Sequence, residues 1–159
     1  MGKYNTAQVC LNGHVITCSY ETSLELRQPH CDKCGYDTII DCPSCLSKIR
    51  GHYDVEYGLP DSMKSAPAYC YNCGKPYPWT EAYIEATKEL LKLEENISKE
   101  DFEYFSNNMD SIISDTPKTK VVATKFKIFL NKASKEVSSG IRDILVDIAS
   151  EAAKKTLFP

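Results

Sequence analysis

No run of apolar residues in this chain approaches the roughly 20 needed to span a bilayer, and Met1–Gln8 has neither the basic nor the apolar region of a signal peptide. These absences exclude a membrane-spanning helix and make a reducing cytoplasm the expected location, where paired cysteines bind metal more often than they form disulfides. Cysteine itself stops at Cys73. The second half must therefore fold by apolar burial alone, whereas the first half is rich in thiols and poor in aliphatic residues. Clusters of arginine are also missing, and the formal net charge is -3. Seven thiolates and two zinc ions would take that charge to about -6. A protein that coats nucleic acid non-specifically gains its affinity by neutralising phosphates, so this class is disfavoured.

What the chain has instead is a repeated spacing. Cys31/Cys34, Cys42/Cys45 and Cys70/Cys73 each enclose two residues, which lets two thiolates on one tight turn grip a single tetrahedral zinc ion. Gly35 and Gly74 follow two of these pairs and can take the positive φ that such a turn needs, while Pro43 fixes one angle in the third. Cys10 and His14 flank Asn12-Gly13, a dipeptide suited to a hairpin tip, with Val15-Ile16 as the returning strand. These eight side chains make two four-ligand structural sites: Cys10, His14, Cys31 and Cys34 in the first, Cys42, Cys45, Cys70 and Cys73 in the second. Sequential pairing closes the shorter loops, and joining Cys31/Cys34 to Cys70/Cys73 is the interleaved alternative. Cys18 is left over, either as a small buried hydrophobe or as a substitute for Cys10 or His14. His30 and His52 lack a partner at ligand spacing and read as surface or satisfied core histidines.

Two structural zinc ions per chain are the expected cofactors, with four-thiolate iron as the chemical alternative and a disulfide scaffold as the rival if the chain is exported. A thiolate-filled shell has neither the open position nor the neighbouring base that catalytic zinc uses, so no catalytic residue is expected. An enzyme would have Cys18 as its spare nucleophile, and spacing places no histidine and carboxylate beside it. Ile49–Tyr57 reads as a strand and Gly58–Pro67 as a turn-rich loop, either a recognition element or an inert excursion. Tyr53, Tyr57, Tyr69, Tyr71, Tyr77 and Trp79 crowd the same part of the chain. Aromatics that cover a small zinc knot and aromatics that stack on a partner give the same pattern.

Residues 1–79 thus form a double zinc-ribbon-like domain and residues 80–159 a helical one, a small α+β fold. In the second half Thr80 is the expected N-cap of a helix running to about Glu95, with Tyr83, Ala86, Leu90 and Leu93 on one face. Ser98 and Asp101 resemble a capping box, with Ile97 and Phe102 at staple spacing and Phe102, Phe105 and Met109 as the stripe behind it. Thr116 caps the next helix with Pro117 at its first position, and Val122, Phe126, Phe129, Ala133 and Val137 recur at gaps of four and three. Ile141, Ile144, Leu145, Ile148 and Ala152 renew the stripe. Ser138-Ser139-Gly140 either breaks this stretch into an antiparallel hairpin or is carried through a helix of about 58 Å that needs a second chain to cover it. Lys125, Lys127, Lys132 and Lys135 form a solvated face, because Glu136, Asp143, Asp147 and Glu151 interrupt the basic run.

The run Cys70-Tyr-Asn-Cys-Gly-Lys-Pro-Tyr-Pro-Trp79, preceded by Cys42-Pro-Ser-Cys45 and Cys10-Leu-Asn-Gly-His14, resembles a bacterial family of uncharacterised cysteine-rich proteins, the domain of unknown function DUF2321. The resemblance covers roughly residues 1–95. It implies zinc-ribbon or rubredoxin-like knuckles at Cys31/Cys34, Cys42/Cys45 and Cys70/Cys73, with Cys10 and His14 as the amino-terminal element, and it supplies no substrate. Zinc ribbons commonly grip proteins or nucleic acids. The expected function is therefore a cytoplasmic, zinc-stabilised binding or adaptor protein without catalysis, working through a protein partner or a second copy of itself. A zinc-ribbon nucleic-acid-binding protein is the alternative.

Overall fold

The computed structural model describes residues 2–57 and 63–159, and the chain divides into two compact units, Met1–Glu81 and Ala82–Pro159. The expected loop from Gly58 to Pro67 lies in part, at residues 58–62, outside the described residues.

The first unit is built from short antiparallel strands. β1 (Lys3–Thr6) pairs with β5 (Arg50–Asp54), with Tyr4 opposite Tyr53, and β2 (Gln8–Cys10) lies between β3 (Val15–Thr17) and β4 (Thr38–Ile39). The β2–β3 hairpin turns at Asn12-Gly13 as its composition implies, with Gly13 at φ 90°. Ala7, Val9, Cys10 and Ile49 are fully buried and anchor the strands. Gly51 lets β5 pass close to two backbones: a Cβ there would stand 2.2 Å from the Cys18 carbonyl oxygen and 3.0 Å from the Ala7 nitrogen. Glu21 accepts hydrogen bonds from the N–H (2.9 Å) and the hydroxyl of Thr6, tying the turn after β3 back to β1. Local desolvation opposes ionisation of that carboxyl, but the two Thr6 bonds prevail and hold it below the usual range.

The second unit is a bundle of short helices. α1 (Pro78–Leu93) starts at Pro78, which suits a proline at the first helical position, and the Tyr77 carbonyl accepts from the N–H groups of Thr80 and Glu81. Thr80 is therefore not the cap; its hydroxyl donates instead to the Ala68 carbonyl at 2.7 Å. The buried face of α1 runs through Ile84, Thr87 and Leu91, and Leu93, expected inside, is 69% exposed. α2 (Lys99–Asn107) has the expected capping arrangement, Ser98 Oγ accepting from the Asp101 N–H at 3.0 Å. α3 (Asp110–Ile113) is a single turn.

α4 (Thr119–Lys132) begins two residues beyond the expected start, because Pro117-Lys118 forms a turn in which Thr116 Oγ1 accepts from the Lys118 N–H. The long stripe is divided, and the division is not at Gly140. Ala133 ends α4, Ser134 caps α5 (Lys135–Ile148) by accepting from the Val137 N–H, and Gly140 sits inside that helix. A Cβ at Gly140 would lie 3.1 Å from Leu90, so the glycine permits a close approach of α5 to α1. α6 (Glu151–Leu157) follows a second serine cap at Ser150. The helix of about 58 Å is absent, and with it the single long apolar stripe that would need a second chain to cover it. Leu91, Phe105, Met109, Ile112, Val122, Phe126, Leu130, Ile141 and Leu145 form the core. Among the described residues no helix is long and apolar enough to cross a membrane.

Candidate metal centres

Three hairpin knuckles share one hydrogen-bond pattern. In each, the N–H of the first cysteine donates to the carbonyl five residues on, from Cys31 to Tyr36, Cys42 to Ser47 and Cys70 to Lys75, at 2.8–2.9 Å. The residue after the second cysteine returns a bond to the first cysteine's carbonyl: Gly35 to Cys31 at 2.7 Å, Leu46 to Cys42 at 2.8 Å and Gly74 to Cys70 at 2.9 Å. Isolated bridges close each turn, His30 with Asp37, Asp41 with Lys48 and Tyr69 with Pro76. The returning residue takes a left-handed conformation in all three, with φ 76° at Gly35, 64° at Leu46 and 74° at Gly74. Open space surrounds Gly35 and Gly74, so a side chain there would meet only conformational strain. Gly74→Ala should therefore destabilise the first unit by about 1 kcal/mol, whereas Leu46→Gly, which relieves that strain at an exposed position, should be neutral or stabilising. Urea titration of the two variants checks this difference in sign.

The knuckles converge in pairs. Cys10, His14, Cys31 and Cys34 bring their ligand atoms within 4.8 Å of one another, and Cys42, Cys45, Cys70 and Cys73 do the same. The interleaved arrangement is not the one adopted. Cys18 lies in neither cluster; its carbonyl accepts from the His52 N–H. His30 pairs with Asp37 on the surface at 3.0 Å, and the Nδ1 of His52 is buried without a hydrogen-bond partner among the described residues.

The separations test whether a metal fits. A tetrahedral ion with sulfur ligands at about 2.3 Å sets neighbouring sulfurs about 3.8 Å apart, and a nitrogen ligand about 3.6 Å from each sulfur. Cys10 and Cys34 Sγ lie 3.7 Å apart, Cys42 and Cys73 3.8 Å, and Cys45 and Cys70 3.7 Å. His14 Nδ1 is 3.4 Å from Cys10 Sγ and 3.5 Å from Cys31 Sγ. These are the edges of two metal-sized tetrahedra and far too long for disulfides, and all eight cysteines are free. Backbone N–H groups also point at sulfur, His14 to Cys10 at 3.3 Å and Asn72 to Cys70 at 3.4 Å, as thiolate acceptors favour.

The thiols are electrostatically uneven. The Tyr36 N–H, followed by Asn12 and His14 against some desolvation, draws Cys34 down to about 6, and the Ser47 hydroxyl and N–H together with Asn72 draw Cys45 to about 6. Cys70 is lowered chiefly by the Cys73 N–H. Burial raises Cys10. At Cys73 the Lys75 N–H favours the thiolate, but desolvation and the crowding of Cys42, Cys45 and Cys70 outweigh it and push the thiol up to about 11. Four thiols this close do not all ionise alone; a bound cation would allow them to.

The aromatic residues divide into a buried and an exposed set. Tyr77 and Trp79 stack at 4.6 Å and are buried, Trp79 lying against the Gly13 turn and donating through Nε1 to the Pro67 carbonyl at 2.9 Å. Burial, and then the Cys70 thiolate, push the Tyr77 phenol far above its usual range. Tyr53, Tyr57 and Tyr71 are exposed.

A β-rich unit with two potential metal-binding clusters of the zinc-knuckle kind, followed by a helical bundle, is the class of protein that this fold and these sites define. Over residues 3–157 the chain matches the family described as an uncharacterized protein conserved in bacteria (DUF2321), and it belongs to that family. The match takes in the helical half, beyond the reach of the cysteine motifs. No curated protein and no solved structure matches the chain significantly.

Proposed function

We propose that this chain is a zinc-stabilised binding protein in which the metals hold a recognition surface in shape and take no part in chemistry. The observation that carries the reading is the closure of both clusters: each already offers four ligand atoms mutually within 4.8 Å, a full set for tetrahedral zinc. When bound, zinc supplies cross-linking between knuckles that are distant in sequence. Cys10, His14, Cys31 and Cys34 would hold one ion and Cys42, Cys45, Cys70 and Cys73 the other. The imidazole in the first set favours zinc over four-thiolate iron, and zinc is taken for both.

The acidic balance of the chain favours a protein partner over nucleic acid. The helical unit offers a second surface: a cavity of about 500 Å³ lined by Tyr104, Phe105, Phe129, Lys125, Lys132 and Glu94.

Cobalt substitution tests the closed shell. The cobalt(II) protein should show a tetrahedral thiolate absorption that added azide or imidazole leaves unchanged. A spectrum that shifts with either anion or base reveals an open coordination position and contradicts the reading.

A further inference from the structure

Arg50 is held in an unusual way for an exposed cation. Its guanidinium carbon stands 3.7 Å from the ring centroid of Tyr71 and 4.4 Å from that of Tyr4. Both rings are themselves half exposed, and Tyr53 packs on Tyr4 at 4.8 Å. Two rings thus pack against the guanidinium carbon, and the N–H groups, which lie in the guanidinium plane, remain for an acceptor. Among the described residues the guanidinium has no carboxylate partner and no hydrogen bond. The platform is also well rooted. Arg50 follows fully buried Ile49, Tyr4 and Tyr53 face each other across the β1–β5 pair, and Tyr71 sits inside the Cys70/Cys73 knuckle. The Asn72 amide reaches Cys45 Sγ at 3.6 Å, which brings this knuckle beside the one carrying Leu46, 75% exposed.

We propose that Arg50, clamped by Tyr4 and Tyr71, is a recognition site for an aspartate or glutamate side chain of a protein partner, with the flanking rings taking apolar residues on either side of that carboxylate. This deepens the reading of the chain as a binding protein and rests on it. A guanidinium held by two rings presents a planar fork, which selects an acceptor that takes two parallel N–H bonds, as a carboxylate does. Both rings remain half exposed beside the fork, so apolar residues next to the partner's acid have ring surface to pack on. A polyanion would meet an acidic protein at many points, whereas a single carboxylate meets this one cation.

The test uses the zinc-loaded full chain and the side-chain Nε–H signal of Arg50 in nuclear magnetic resonance. The probes are an acetylated, amidated tripeptide with glutamate between phenylalanine and leucine, the same peptide with glutamine, and a ten-nucleotide oligothymidine. The glutamate peptide should shift the Arg50 signal saturably, and the glutamine peptide should bind about tenfold more weakly. Arg50→Lys, which keeps the charge and loses the fork, should weaken the glutamate peptide to a similar degree, read from the ring signals of Tyr4 and Tyr71, with the backbone spectrum of the free protein unchanged. No shift, equal response to both peptides, or a response to the oligonucleotide as strong as to the glutamate peptide overturns the proposal. A silent Arg50 in a protein that keeps its zinc and its closed cobalt spectrum removes this site alone; an open cobalt spectrum removes the reading beneath it.

Discussion

Stripping the metal should unfold Met1–Glu81. The apolar core of this unit is small, with Ala7, Val9, Ile49, Tyr77 and Trp79 as its main buried residues besides the cysteines. A core of that size yields little net stability against the conformational entropy of some eighty residues. Structural zinc in small peptides contributes about 10–16 kcal/mol per ion at neutral pH, comparable to or larger than the entire stability of an ordinary domain. Without it, sulfurs 3.7–3.8 Å apart either repel as thiolates or hold protons. The readout is the single tryptophan, Trp79, which is buried against the Gly13 turn and stacked on Tyr77. Addition of a strong chelator under reducing conditions should shift its emission to that of an exposed indole, and returning zinc should reverse the shift. Emission that stays fixed while the metal is lost would mean that the strands hold without it.

Phe126→Ala should cost about 4 kcal/mol, in the range for a buried phenylalanine whose cavity collapses only in part. Phe126 is fully buried in the helical core and lies 4.1 Å from the Phe105 ring centroid. In a unit of this length that loss lowers the helical melting temperature by roughly 15–30 °C. Leu93→Ala is the comparison. Both residues belong to expected apolar faces, but Leu93 is 69% exposed, so its truncation should stay within about 0.5 kcal/mol. Thermal melts followed by circular dichroism separate the two variants; similar losses would mean that α1 presents the opposite face to the core.

What could be read from the residues alone was what is local. A knuckle is complete within about six residues, so Cys31/Cys34 and Cys70/Cys73 with their following glycines announce their own turns, and Asn12-Gly13 does the same for the hairpin. Leu46 breaks that pattern in composition while adopting the same φ, and composition carries no sign of it. The helix boundary failed for the opposite reason. Ser134 and the Ser138-Ser139-Gly140 run are comparable local signals, and contacts distant in sequence choose between them. Glu94, buried at the end of α1, accepts from the Ser134 N–H at 2.8 Å and fixes the break there. Leu90 lies against Gly140, which makes that glycine a packing residue inside α5. The pairing of Arg50 with Tyr4 and Tyr71 is likewise tertiary, uniting positions nearly seventy residues apart.

The most direct test is the mass of the native protein, isolated without added reductant and measured with its metals retained. Two zinc ions on each chain, released together with the structure of the first unit, is the predicted result. A chain that carries no metal and loses hydrogens to four disulfides, or one that carries iron in place of zinc, would contradict it.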